Sequence, residues 1–329
     1  MYTDWVAIGL AKIPDADITL LKFYIVSNDL AENLALTEYE RRAMTLLALN
    51  VDPAIGTKIN YIKKITDTFD GAQFGDKNLY NDDIFAIIPL LHAGYTWTDL
   101  EIQKAVTFII SKQHADGSWD GIDITAATIQ ALSPVRNLPE VSDALSKARM
   151  YLINAQMPDG GFGSSFGTSW AIGAIKVLNE SPDIWQKNNL NPNDALVVLQ
   201  ASDGGVEPLT TETNTRLWAT AYAIPSALSL SWDSILGYFE KVKPVPLSEL
   251  QPQPMPKIVS IKKITSLKTI TKPPVEKNIA FKPKVSENIL IANVISTTNE
   301  RAFPVKRAIV IVLLSLSIIP LSLWFFRKP

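Results

Sequence analysis

The chain has 329 residues, 47% apolar and 19% charged, with 21 prolines, 15 glycines and no cysteine. The lack of cysteine excludes a disulfide scaffold, a thiol nucleophile and a Cys-ligated metal site; with only His92 and His114 besides, no metal or cofactor is expected. The formal charge of −2 hides an acidic front (1–240, 16 Lys+Arg against 29 Asp+Glu) and a basic back (241–329, 15 against 4), and the acidic front argues against nucleic-acid binding.

Two kinds of helix alternate along residues 1–240. The first kind is apolar nearly all round and must be covered on both sides: 3–10, 37–49, 82–93, 123–132, 168–178 and 213–228. The second kind is amphipathic and belongs outside the first: about 16–30, 53–67, 99–113, 140–156 and 186–201. Thr98 and Glu101 are spaced as a capping box ahead of the stripe Ile102, Ala105, Val106, Ile109 and Ile110. Asn191-Pro192 reads as a cap followed by proline at the first helical position.

The two kinds are joined by a repeated turn. Asp-Gly recurs at 70–71, 116–117, 159–160 and 203–204, with spacings of 46, 43 and 44 residues. Three copies share a longer frame: Gln113-His-Ala-Asp-Gly-Ser-Trp119, Gln156-Met-Pro-Asp-Gly-Gly-Phe162 and Gln200-Ala-Ser-Asp-Gly-Gly-Val206. Each Asp-Gly is expected to stop the preceding helix, because glycine accepts the left-handed conformation, and each Gln amide to bond backbone groups freed at the helix end. Six inner helices ringed by about six outer ones give an all-α fold, an α/α toroid over 1–240; stacked pairs would fit the same period.

Composition changes at residue 241. Residues 241–306 hold nine prolines and no glycine, and read as an extended Pro/Lys/Thr-rich tether. Within the closing segment 307–329, residues 308–326 carry no charge and span about 28 Å as a helix, close to the hydrocarbon thickness of a bilayer. Lys306-Arg307 and Arg327-Lys328 bracket the run, and Trp324 sits near one edge. A single-pass membrane protein is therefore expected.

The Gln-x-x-Asp-Gly-x-aromatic frames resemble the repeats of squalene and terpene cyclases and of protein prenyltransferase β-subunits. The organisation is more similar to bacterial surface proteins that carry such a toroid ahead of a tether and a membrane segment. The resemblance covers roughly residues 1–230 and implies the toroid fold; the frames themselves are architectural. Its catalytic residues are largely missing here. The Asp-Cys-His zinc set and the Asp-Cys-Thr segment need a cysteine, and the Asp-x-Asp-Asp donor motif is matched only by Tyr80-Asn81-Asp82-Asp83.

The inner-helix N-termini should converge on one mouth, with Asp82, Asp83 and Asp123 as candidate acids there and helix capping as their bland role. Phe85, Trp170, Trp218 and Tyr222 lie on inner helices and either line an apolar ligand site or pack the core. Arg216 would pair with Glu212 or bind an anionic ligand; His92 and His114 are expected to be solvated. Residue 1 opens directly into an inner helix without a signal peptide, whereas surface relatives begin with one and with a further outer helix. The toroid is placed outside the cytoplasm, with a tail-anchored cytosolic toroid as the alternative. The function expected is a membrane-anchored, non-catalytic module binding a small apolar ligand or a surface polymer; the rivals are a cyclase- or prenyltransferase-like enzyme and a plain spacer.

Overall fold

Helices that carry apolar residues on every face need neighbours on every face, and the alternation of element types supplies them. The computed structural model describes residues 2–242, and among these the protein is all-helical, with no strand. The helices are α1 (Tyr2–Leu10), α2 (Thr19–Ser27), α3 (Leu36–Ala48), α4 (Tyr61–Thr66), α5 (Tyr80–His92), α6 (Leu100–Ser111), α7 (Ile122–Leu132), α8 (Pro139–Ala155), α9 (Ser165–Val177), α10 (Pro192–Val198), α11 (Thr213–Ala227) and α12 (Trp232–Ile235). The odd-numbered helices hold nearly all of their side chains out of water, whereas α6 buries only Ile102, Ala105, Val106 and Ile109, and α8 only Val141, Ala144, Leu145, Ala148 and Leu152. Each odd helix packs on the next, α1 on α3 through to α9 on α11, and α11 also packs on α1. The expected tether from residue 243 onward and the expected membrane segment lie outside the described residues. No helix among the described residues is long and apolar enough to cross a membrane.

The repeated frame is a turn fastened at three points. The Asp carboxylate accepts from the backbone two residues on: Asp116 from Ser118, Asp159 from Gly161 and Asp203 from Gly205, at 3.0, 2.9 and 3.2 Å. The Gln amide reaches across the turn and donates to the glycine carbonyl, and in two copies it also bonds a carbonyl about thirty residues further on. Gln113 donates to Gly117 and Ala144, and Gln156 to Gly160 and Trp185, all within 2.8–3.0 Å. Last, the residue at the aromatic position turns its backbone N–H inward onto an odd helix. Trp119 donates to Thr125 Oγ1, Phe162 to Thr168 Oγ1 and Val206 to Thr220 Oγ1, each at 2.9 Å. The glycines have φ of +90°, +83° and +90°, conformations other residues adopt at a cost. They do not stop the helices: α6 ends at Ser111 and α8 at Ala155, six and five residues before their glycines, so Asp-Gly builds the turn that follows.

Three elements differ from expectation, each for a local reason. The capping box at Thr98 does not form; Asp99 is the cap residue and its carboxylate instead accepts from Thr96 N–H at 2.7 Å. The outer helix expected over 53–67 shrinks to α4, because Asp52 turns the chain by accepting from Ala54 N–H and Asn60 caps only at Lys63. The helix expected from 186 starts at Pro192, since Asn188 and Asn189 are left-handed in a tight turn bridging Lys187 and Leu190. The Asn191 cap forms as expected and is completed by Asp194 into a capping box.

Replacing Thr168 by Val keeps the shape of the side chain and strands the buried N–H of Phe162. The substitution is expected to lower unfolding free energy by about 1–3 kcal/mol in urea denaturation, and Thr125→Val by a similar amount. Loss of less than a few tenths would show that these bonds do not fasten the turn.

Candidate functional site

Four of the candidate ligand residues come together. Trp170 and Tyr222 are buried with ring centroids 5.6 Å apart; Phe85 meets Trp170 at 5.8 Å and Trp218 meets Tyr222 at 5.8 Å. Tyr2 and Phe166, from the first turns of α1 and α9, cover Trp218 at 6.0 and 5.2 Å. Most of these contacts are edge-to-face, the arrangement the ring quadrupole favours. Tyr2, Phe85, Phe166 and Trp218 remain partly exposed, so the cluster has one wet side. Its other side is closed by Trp5 and by Trp232 of α12, whose ring lies 5.5 Å from Trp5 and 5.2 Å from Trp170. The Trp232 N–H donates to Gln130 Oε1 at 2.9 Å, which fixes the α12 turn among the odd helices. The sequence pattern did not disclose this plug, because four residues are too short for periodicity to register.

Arg216 does not belong to this cluster. Its guanidinium donates to Asp203 at 2.7 Å and to the Glu207 carbonyl at 3.1 Å, bracing the third frame. The expected partner, Glu212, instead caps α11 by accepting from Thr215 N–H at 2.9 Å. His92 is buried, contrary to expectation. Its ring nitrogens sit 3.3 Å from the Gly237 carbonyl and 3.2 Å from Asp233, and Tyr238 stacks on it at 4.1 Å, partners that lie some 140 residues away.

The candidate acids separate. Asp123 is exposed at the start of α7 and makes no hydrogen bond to Asp82 or Asp83. Asp83 takes the place that threonine has in the other frames: its Oδ1 accepts from Phe74 N–H at 2.9 Å. Asp82 accepts from Asp76 N–H at 3.0 Å. Burial, reinforced by the Asp82 charge, pushes the Asp83 carboxyl up to about 7, and burial also raises Asp82. Both face a residue that no sequence motif marks, Glu40 of α3. It is fully buried, neither carboxylate oxygen has a hydrogen-bond partner, and burial followed by the charges of Asp82 and Asp83 raises it well above the carboxylate range. Glu40 is followed by Arg41 and Arg42, both buried; Asp4 accepts from Arg42 Nε at 2.8 Å and lies 3.6 Å from Arg41 Nε. A usable signal existed. Three consecutive charges span about 200° of a helix at 3.6 residues per turn, so a doubly covered helix must bury at least one.

Buried polar atoms without a partner are concentrated in one part of the fold. Asp4, Glu40, Arg41, Tyr80, Asn81, Asp83, Ser165, Ser169 and Trp218 all lie in the N-terminal halves of odd helices; only Gln73 and Ser133 fall elsewhere among the described residues. Buried polar groups ordinarily find partners, so this concentration sets the N-terminal halves apart from the well-satisfied C-terminal halves. Among the described residues no three His, Asp or Glu side chains could share a metal ion. In sequence comparison no protein-family model matches the chain, and no curated protein matches it significantly.

A carboxyl with a raised folded pKa is more protonated folded than unfolded, so its charging costs stability as pH rises from the ordinary carboxylate range through the folded value. Glu40 and Asp83 therefore predict a fall in stability between about pH 5 and 8. Asp83→Asn keeps an acceptor for Phe74 N–H; it and Glu40→Gln are each expected to gain on the order of 1–2 kcal/mol at pH 8 and change little at pH 5. Urea midpoints at the two pH values read this directly. Equal slopes for wild type and both variants would contradict it.

Proposed function

We propose that the acidic front is an α/α toroid that binds a small apolar ligand at the end formed by the N-terminal halves of the odd helices, and that residues 308–326 hold it on a membrane outside the cytoplasm. The cyclic order of packing, with α11 against both α9 and α1, supports the ring. The resemblance of the frames to cyclase and prenyltransferase repeats supports the same architecture.

One observation carries the binding reading. The partly exposed rings of Phe85, Trp218, Phe166 and Tyr2 lie in the same N-terminal halves that hold the unpartnered buried Trp218 Nε1 and Ser169 Oγ. Apolar walls with a few convergent polar atoms are the ordinary make-up of a small-molecule site. An indole N–H donates and does not accept, so the ligand that suits it carries an oxygen acceptor on an apolar body. Trp5, Trp170, Tyr222 and Trp232 fill the space beneath, which favours a ligand seated at the end of the ring over one threaded through it.

A second reading has its own support. Asp83, poised near neutrality beside Asp82 and Glu40, is a credible proton donor for cyclase-like chemistry. The bond from Phe74 N–H to Asp83 weighs against it, since it gives this carboxylate the fastening role of threonine in the other frames.

Native mass spectrometry of the full chain, released from detergent after purification from its source cell, tests the binding reading. Wild type is expected to retain a small molecule, and the double variant Phe85→Ala/Trp218→Ala to lose most of it, at least tenfold in occupancy. Bare wild-type protein, or equal retention by the variant, removes the reading. Accumulation of a heavier adduct on Asp83→Asn than on wild type would turn the assignment towards an enzyme.

A further inference from the structure

A second cavity lies outside the aromatic cluster. About 320 Å³ of space opens between the start of α9 and α10, at the lower end of volumes typical of small-molecule sites. Phe162, Leu190, Val198 and Leu199 form its apolar wall, and no Lys or Arg lines it. Three carboxylates do, each from a different segment: Asp159 from the second frame, Asp194 from α10 and Glu207 from the chain ahead of α11.

Their structural bonds leave them unsaturated. Asp159 Oδ1 accepts from Gly161 N–H and Asp194 Oδ2 from Asn191 N–H, both at 2.9 Å. The second oxygen of each, and the whole Glu207 carboxylate, bonds to none of the described residues. A fourth group points to a ligand independently: Ser165 lines the cavity, is fully buried, and its hydroxyl has no partner.

Charge decides the ligand class. The α9 N-terminus contributes about half a positive charge, too little to make an anion site against three carboxylates. Two of its first N–H groups are also engaged, Gly167 donating to the Ser164 hydroxyl and Thr168 to the Ser164 carbonyl, both at 3.0 Å. Arg216, which touches the Glu207 carbonyl, is neutralised by Asp203. No three carboxylates among the described residues converge on one point, so the three acids of the cavity do not form a cage for one divalent ion. Separated acceptors along an apolar trough suit a cation whose charges are themselves separated by methylenes. We propose that this cavity binds a linear aliphatic polyamine, its ammonium groups donating to Asp159, Asp194 and Glu207 and its methylenes lying on Phe162, Val198 and Leu199. The site is separate from the apolar-ligand site above and does not depend on it.

Isothermal titration of the full chain in a non-ionic detergent with spermidine tests the proposal, with magnesium chloride at matched ionic strength as control. Saturable binding of one spermidine is expected, at least tenfold tighter than any response to magnesium. Asp159→Asn keeps the turn acceptor and Glu207→Gln removes only charge; each is expected to weaken binding about fivefold. Val198→Lys places a competing ammonium at the exposed edge of the wall and is expected to abolish binding, with helicity by circular dichroism unchanged. Asp143→Asn, an exposed acid of α8, is expected to leave it unaltered. Equal responses to spermidine and magnesium would mean charge screening by an acidic surface and overturn the site. So would equal weakening by Asp143→Asn, or full binding by Val198→Lys.

Discussion

Every frame of the repeat ends on a backbone N–H that is carried into the packed interior and must find an oxygen there. Water cannot serve it, and an unsatisfied buried donor costs about 1–3 kcal/mol. The odd helix that follows meets this demand with a side chain about one or two turns from its start: Thr125, Thr168 and Thr220, and Asp83 where threonine is replaced. This one bond sets the angle between turn and helix. In two frames the Gln amide also ties the same turn to a carbonyl about thirty residues further on, so two residues of each fasten it to its surroundings.

The exception at Asp83 shapes the chemistry of its surroundings. A carboxylate satisfies the Phe74 N–H as well as a hydroxyl does, yet it brings a charge into a place without a counter-ion. With Glu40 and Asp82 beside it, ionisation of one group opposes ionisation of the others, and protons are held to higher pH. On the neighbouring helix pair the opposite solution appears, with Asp4 held by Arg42 and Arg41. Charged clusters of both types occupy the N-terminal halves of the odd helices. There they border the aromatic rings that remain partly open to water.

The clasp formed by residues after α11 works against that open side. Trp232 fills the space among Trp5, Trp170 and Tyr222, and Tyr238 and Gly237 close over His92. Phe239 N–H donates to the His92 carbonyl at 2.8 Å, and Gly237 N–H to the Leu47 carbonyl at 3.0 Å, so the segment bridges α3 and α5.

What the sequence determined by itself was local and periodic. Helices apolar all round were legible because burial on both sides leaves no polar stripe, and the frames were legible because Asp-Gly turns and their Gln partner lie within seven residues. The Asn191 cap was visible for the same reason. Only tertiary structure decided which oxygen each inward N–H would meet, that Arg216 would brace Asp203, that His92 would be buried by residues near 237, and that α12 would plug the aromatic cluster. Those outcomes depend on partners far apart in the chain, and a periodic pattern carries no information about distance in space. Glu40 marks the boundary between the two. Its burial followed from helix geometry, but the elevation of its proton affinity required Asp82 and Asp83 to arrive on the adjacent helix.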